Sequence, residues 1–226
     1  MCGFAGFVGE VENREQVLEN MIDTIIHRGP DSSGKFVDED AALGFRRLSI
    51  IDLSESGDQP LYNEDRSKVL VFNGEIYNYQ ELREELIQAG HTFVSNTDSE
   101  TLIHGYEQWG EELVYRLRGM YAFAIWDQKA KRLFSARDIF GIKPLYYAQM
   151  NGTLMFGSEI KSFLEHPKFD KVFNEDALGN YLSFQFVPTN ETFFKGVFCV
   201  QPGHYFVYEN GKMTIKRYFE PNFTGD

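Results

Sequence analysis

The chain has 226 residues, with 22 Lys+Arg against 34 Asp+Glu and a formal net charge of −12. So acidic a chain, without a basic run, is a poor partner for phosphate backbones, and nucleic-acid binding is excluded as a reading. Its 42% hydrophobic and 25% charged residues exclude a disordered chain, and two cysteines, Cys2 and Cys199, make neither a disulfide framework nor a zinc cluster.

Phe4 to Val8 reads as a buried strand. The apolar start lacks a positive region ahead of it and runs into Glu10, Glu12 and Glu15, so it is not read as a signal peptide. No run approaches ~18 apolar residues, so no membrane contact and a cytoplasmic location are expected. Val17, Leu18, Met21, Ile22 and Ile25 have helical spacing, which predicts a helix over Arg14 to Ile26. His27 to Gly34 reads as a loop and Ala41 to Asp52 as a strand. Lys68 to Phe72 reads as a short strand stopped by Asn73-Gly74.

Asn78 with Glu81, and Thr97 with Glu100, have capping-box spacing and predict two helix starts. Met120–Trp126, Arg132–Ala136, Leu145–Met150 and Thr153–Phe156 read as strands, with Asn151-Gly152 and Asn210-Gly211 as hairpin turns. Glu159–Leu164 and Glu175–Leu182 read as helices. Strands arranged in hairpins rather than in strict strand–helix alternation predict an α+β domain with antiparallel sheets covered by helices. It spans residues 2–219, with 220–226 as a tail. The aromatic stretches Tyr121 to Trp126 and Phe184-Gln185-Phe186 read as core or interface, and Cys199 as a packing residue.

Cys2 carries the chemistry. Methionine is removed when the second residue is small, and Cys2 then bears a thiol and a free α-amine on one Cα. A thiol is a weak nucleophile at neutral pH and gains from a base. An α-amine is roughly 10–20% unprotonated at pH 7, whereas an ordinary lysine is below ~0.1%. Attack on an amide then needs an oxyanion hole and handles for the substrate. Asn73 beside the Gly74 N–H is a suitable donor pair, because the next residues lead into a helix rather than a returning strand. Of the adjacent Arg46 and Arg47, strand geometry lets only one face a site, where a carboxylate is its natural partner. Asp98, at a helix start, is expected to stay ionised and to accept an ammonium group. Two other readings compete. One is a Cys/His hydrolase using His27, His104 or His204, which lacks a nucleophile elbow; the other is a non-catalytic amino-acid-binding module.

Cys2-Gly3, His27-Arg28-Gly29-Pro30-Asp31, Arg47-Leu48-Ser49-Ile50-Ile51-Asp52, Asn73-Gly74-Glu75-Ile76-Tyr77-Asn78 and Thr97-Asp98-Ser99-Glu100 resemble the class II glutamine amidotransferases, which are N-terminal nucleophile hydrolases. Arg137-Asp138, Gly141-Ile142-Lys143-Pro144, Ser158-Glu159-Ile160-Lys161 and Pro202-Gly203-His204 extend the likeness, which is nearest to the glutaminase domain of glutamine-hydrolysing asparagine synthetase. Ile139 and Tyr218-Phe219 depart from the pattern. The resemblance implies a four-layer αββα sandwich of two stacked, mainly antiparallel sheets, and glutamine as substrate. It implies Cys2 as nucleophile, with its α-amine as base, and Asn73 and Gly74 as the oxyanion hole. Arg47 would hold the α-carboxylate and Asp98 the α-ammonium, with Leu48, Ser49, Ile50, Ile51 and Glu75 lining the pocket. No Ser-Gly-Gly-x-Asp-Ser phosphate loop is present, so no cofactor is expected here; ATP and Mg2+ belong to a synthetase domain outside this chain. The expected partner is that domain or a separate subunit, with a stand-alone glutaminase or a homodimer also compatible with the sequence.

Overall fold

The computed structural model describes residues 2–48 and 57–222. Two six-stranded sheets lie face to face, and every strand pairing in them is antiparallel. The first runs in the order β10 (Val197–Cys199), β8 (Tyr146–Met150), β9 (Thr153–Gly157), β1 (Gly3–Val8), β3 (Ala41–Arg47), β2 (Ser32–Val37). The second runs β12 (Lys212–Arg217), β11 (His204–Glu209), β7 (Arg132–Arg137), β6 (Gly119–Asp127), β5 (Lys68–Ile76), β4 (Leu61–Tyr62).

Three apolar layers hold the sandwich together. Phe4, Leu43, Phe45, Val69, Val71, Trp126 and Phe206 fill the space between the sheets. Leu18, Met21 and Ile22 of α1 (Arg14–Asp23), with Phe163, cover the outer face of the first sheet. Leu82 of α2 (Tyr79–Gln88) and Leu102, Ile103 and Tyr106 of α3 (Asp98–Trp109) cover the second. Because both faces of β1, β5 and β6 are covered, these strands are apolar on both sides rather than alternating. This is the four-layer α+β sandwich the resemblance implied. Gly6 sits where layers touch: a Cβ there would lie 2.5 Å from the Phe156 ring and 2.6 Å from the Ala42 carbonyl oxygen.

Several local expectations are corrected. β5 does not stop at Asn73-Gly74 but runs to Ile76, paired throughout with β6. Neither residue has a positive φ, so the pair makes no turn. The segment read as a loop after His27 contains β2, whose alternating exposure marks an edge strand. The first helix ends at Asp23, and the expected helix at Glu159–Leu164 is a 3-10 turn over Ile160–Glu165. Neither capping box forms. The Asn78 side chain instead bridges Arg116 O and Arg118 N, each at 2.9 Å, and Glu100 accepts from Val94 N and Ser95 N. Of the two stretches read as core or interface, Tyr121 to Trp126 are buried, whereas Phe184 and Phe186 are exposed, which leaves only the interface reading for that pair. Asn151-Gly152 and Asn210-Gly211 do close hairpins, with positive φ at all four residues. Cys199 is half-buried, with Arg137 Nη1 3.0 Å from its sulfur, and burial pushes its pKa up.

Candidate active site

Strand parity brings the site together. In β1 the even residues Phe4 and Val8 face the gap between the sheets; in β3 the odd residues Leu43 and Phe45 do so, and in β5 the odd residues Val69 and Val71. Extending each series places Cys2, Arg47 and Asn73 on that same gap, at the end where the apolar filling stops. There they line one cleft of ≈ 480 Å³, together with Phe45, Leu48, Gln59, Gly74, Glu75, Asp98 and Lys143. Arg46 points the other way, donating to Ile22 O and pairing with Asp23 on α1. Of the two arginines, Arg47 is therefore the one at the cleft, 7% exposed and donating to Asp58 Oδ1 at 2.7 Å. Ser49, Ile50 and Ile51 lie outside the described residues.

β4 is only two residues long, so beyond it β5 has an open edge. The residues whose N–H faces that edge are the even ones. Phe72 N donates to Gln59 Oε1 at 2.6 Å and Ile76 N to Asp98 Oδ2 at 2.8 Å, while Tyr77 N donates across the sheet to Arg118 O. Gly74 lies between Phe72 and Ile76, so its N–H points from the same edge into the cleft. Its glycine is explained by close approach: a Cβ would come 2.2 Å from Met120 O and 2.7 Å from Tyr121 Cα. Beside it, Asn73 is 2% exposed, and its Nδ2 is a buried donor with no partner among the described residues.

The motifs around the cleft hold Cys2 in place. Arg28 Nε donates to Cys2 O at 3.0 Å and its Nη1 to Glu159 Oε1 at 3.0 Å. Ser158 and Phe4 exchange two hydrogen bonds, Phe4 N to Ser158 Oγ at 3.1 Å and Ser158 N to Phe4 O at 2.9 Å. The half-buried Cys2 sulfur lies 3.4 Å from Leu48 N. Asp138 is fully buried and accepts from Tyr121, Phe140, Ile142 and Lys143 N–H groups. Arg137 donates to the carbonyls of Gly141, Lys143 and Val200. Together they fold the loop that brings Lys143 to the cleft wall.

The electrostatics differ from expectation at Asp98. Burial raises its pKa, only partly offset by N–H groups of Ile76, Asp98 and Ser99, and Glu75 adds to the rise. Desolvation in the cleft therefore outweighs the N–H groups of the helix start in the direction of the shift. Lys143 is pushed down by burial and by Arg28, while Asp138, Cys2 and Glu75 oppose this. A bound cationic group would relieve Asp98 and a bound anionic group Lys143. No histidine lines the cleft among the described residues. His27 pairs with Glu159 and His204 with Pro202 O, so the Cys/His reading loses its base. Gln59, Asn96, Ser99 and Lys143 line the cleft without having been singled out. Strand parity could not find them, because loops carry Gln59, Asn96 and Lys143 and the first turn of α3 carries Ser99.

Stacked antiparallel sheets with helices outside both, with the Cys2 thiol at the end of the gap between them, define a four-layer α+β sandwich. The structure described as the allosteric regulatory enzyme of purine biosynthesis has this fold, with a TM-score of 0.74 at 20% identity over 97% of this chain and 50% of that one. The glutamine amidotransferase domain model matches residues 1–219, and the chain belongs to that enzyme family. It is 46% identical, over 99% of its length, to asparagine synthetase [glutamine-hydrolyzing] 1 of Bacillus subtilis, and 41% identical to a putative asparagine synthetase of Mycobacterium tuberculosis. The chain spans 36% and 38% of these two relatives. No helix among the described residues is long and apolar enough to cross a membrane.

Proposed function

We propose that the cleft hydrolyses the side-chain amide of glutamine, with Cys2 as nucleophile after loss of Met1. The α-amine takes the thiol proton and Sγ adds to the amide carbon. The oxygen becomes an anion that accepts from Asn73 Nδ2 and Gly74 N–H. The ammonium then protonates the leaving nitrogen, ammonia departs, and a γ-glutamyl thioester remains. Water adds to the thioester, giving its proton to the amine, and glutamate leaves as the thiol re-forms. Arg47 receives the α-carboxylate and Asp98 the α-ammonium, whose charge repays the cost of ionising Asp98 in the cleft. Leu48, Glu75 and the 49–51 segment shape the rest of the pocket.

The observation that carries this reading is the unpartnered Nδ2 of Asn73 beside an N–H on an open strand edge, both at the cleft that holds Cys2. An unsatisfied buried donor costs about 1–3 kcal/mol, and a developing oxyanion is the partner that would repay it. The ammonia is delivered to a synthetase domain of the kind found in the relatives, in the same chain or in a partner, and ATP and Mg2+ are used there alone. The test is ammonia release from glutamine, with intact mass measured on the same sample. Processed protein is expected to turn over, and Cys2→Ala or a Met1-retaining form is not. Full turnover with Met1 attached would overturn the α-amine mechanism.

A further inference from the structure

On the outer side of the second sheet, three segments bring nitrogen and oxygen donors to one point. His104 and Glu107 lie one turn apart on α3, His91 follows α2, and Glu64 lies between β4 and β5. His91, His104 and Glu107 each offer a ligand atom, all within 4.8 Å of one another. Oε2 of Glu107 is 3.1 Å from Nδ1 of His104 and 3.8 Å from Nδ1 of His91. Oε1 of Glu64 is 3.8 Å from the same His104 Nδ1. Ligands held at ~2.0–2.1 Å around a tetrahedral zinc stand about 3.3 Å apart; Glu107 and His104 are already near that spacing, and the two 3.8 Å pairs would close by about half an ångström.

The outer atoms of these ligands are also occupied. Nε2 of His104 faces Glu100 Oε1 at 3.6 Å, and Glu100 is itself held by Val94 N, Ser95 N and Ser95 Oγ. Nε2 of His91 faces Gln108 Oε1 at 3.1 Å. Oε1 of Glu107 accepts from Asn63 Nδ2 at 2.8 Å. Each ring thus has a carboxylate or amide oxygen at Nε2 and turns Nδ1 inward, the arrangement that orients metal-binding histidines. Separate ion pairs would account for Glu100 and Glu107 around buried His104, 2% exposed, and for His91 Nδ1 on Glu107; what they leave over is the convergence of both Nδ1 atoms on one carboxylate oxygen, with Glu64 beside it.

We infer that His91, His104 and Glu107, with Glu64 closing a fourth position, form a binding site for a divalent transition metal of the zinc class. Two imidazoles favour such an ion over Ca2+ or Mg2+, which take oxygen ligands, and two carboxylates balance its charge. The ion ties α3 to the segment after α2 and to the turn before β5. Since α3 begins at Asp98, it stiffens one wall of the cleft from behind. The site stands independently of the glutaminase reading.

The test is titration of the full chain with Co2+ and Zn2+ after chelator treatment and desalting. One equivalent is expected to bind, with the visible absorption of tetrahedral Co2+ and no thiolate-to-cobalt charge-transfer band, and Zn2+ is expected to raise Tm. His91→Gln and Glu107→Gln should each weaken binding by about a hundredfold or more, and Gln108→Leu by about tenfold. His91→Gln and Gln108→Leu change groups near the surface, so their metal-free Tm should stay near that of the parent. The proposal is overturned by absence of saturable binding at about 50 μM metal or by affinity unchanged in His91→Gln. A charge-transfer band that disappears with Cys2→Ser or Cys199→Ser would also overturn it, by placing the metal on a thiol.

Discussion

Asn73→Ala separates a working side chain from a structural one by sign. In the free protein Nδ2 is buried without a partner among the described residues, a state that costs about 1–3 kcal/mol. Truncation removes that cost and gives up packing worth about 1 kcal/mol. The net change in stability is between about zero and +2 kcal/mol, or up to about 8 °C in Tm at this chain length. In the transition state the same donor faces an oxyanion, and losing such a donor lowers kcat by about 10²–10³, or ~2.7–4 kcal/mol. KM for glutamine should change little, since the neutral amide needs the donor less than the anion does. The assay is ammonia release at saturating glutamine alongside thermal unfolding of the same sample. A fall in Tm of more than about 4 °C with kcat unchanged would make Asn73 a packing residue and refute the reasoning.

Asp98 gives a pH signature. Burial raises its pKa, so ionising it costs the free protein stability, and that cost appears as pH rises through the raised value. Since the carboxylate must be charged to hold an ammonium, KM for glutamine should fall as pH rises through the same value; a pH profile of KM identical in Asp98→Asn contradicts this. Asp98→Asn should raise KM tenfold or more without lowering Tm. His166 works in the opposite direction on stability, its pKa pushed down to about 4 by burial, with Lys168 and Arg14 adding to the fall. The unfolded chain therefore binds the extra proton below pH ~6.5, and stability should drop by about 3 kcal/mol as pH falls from there towards 4. Denaturant titrations across that window should show a shallower drop in His166→Gln. Gly74→Ala drives a Cβ into the Met120 and Tyr121 backbone, so it should cost about 1–3 kcal/mol and abolish ammonia release; an active, equally stable variant would mean β5 and β6 can part at no cost.

The layered fold was legible because period-two and period-3.6 apolar patterns survive wherever a sheet face or helix stripe is covered. The convergence of Cys2, Arg47 and Asn73 was nearly legible too, since parity along three strands sends all three into one gap. Asn73-Gly74 misled because the same dipeptide serves a turn or a close approach, and only the strand opposite, at Met120 and Tyr121, decides which. Asp98 lines the cleft, but the direction of its pKa shift was not legible, because desolvation depends on neighbours from β5 that a helix-start argument does not contain. Gln59 and Lys143 stayed hidden because tertiary hydrogen bonds, such as those of Arg137 and Asp138, set where their loops lie. Glu64 and His91 likewise join α3 only through folding.

The shortness of β4 has a consequence of its own. Had it continued alongside β5 by a few more residues, its carbonyls would have taken the amide hydrogens of positions 72, 74 and 76, and the sheet would be better paired and chemically inert. Gln59 and Asp98 blunt the positions on either side, leaving a gap one group wide, too narrow to recruit a stray strand from another molecule. The oxyanion site proposed at Gly74 is thus a stretch of missing ladder, and under that proposal lengthening one loop would silence turnover with every named side chain intact.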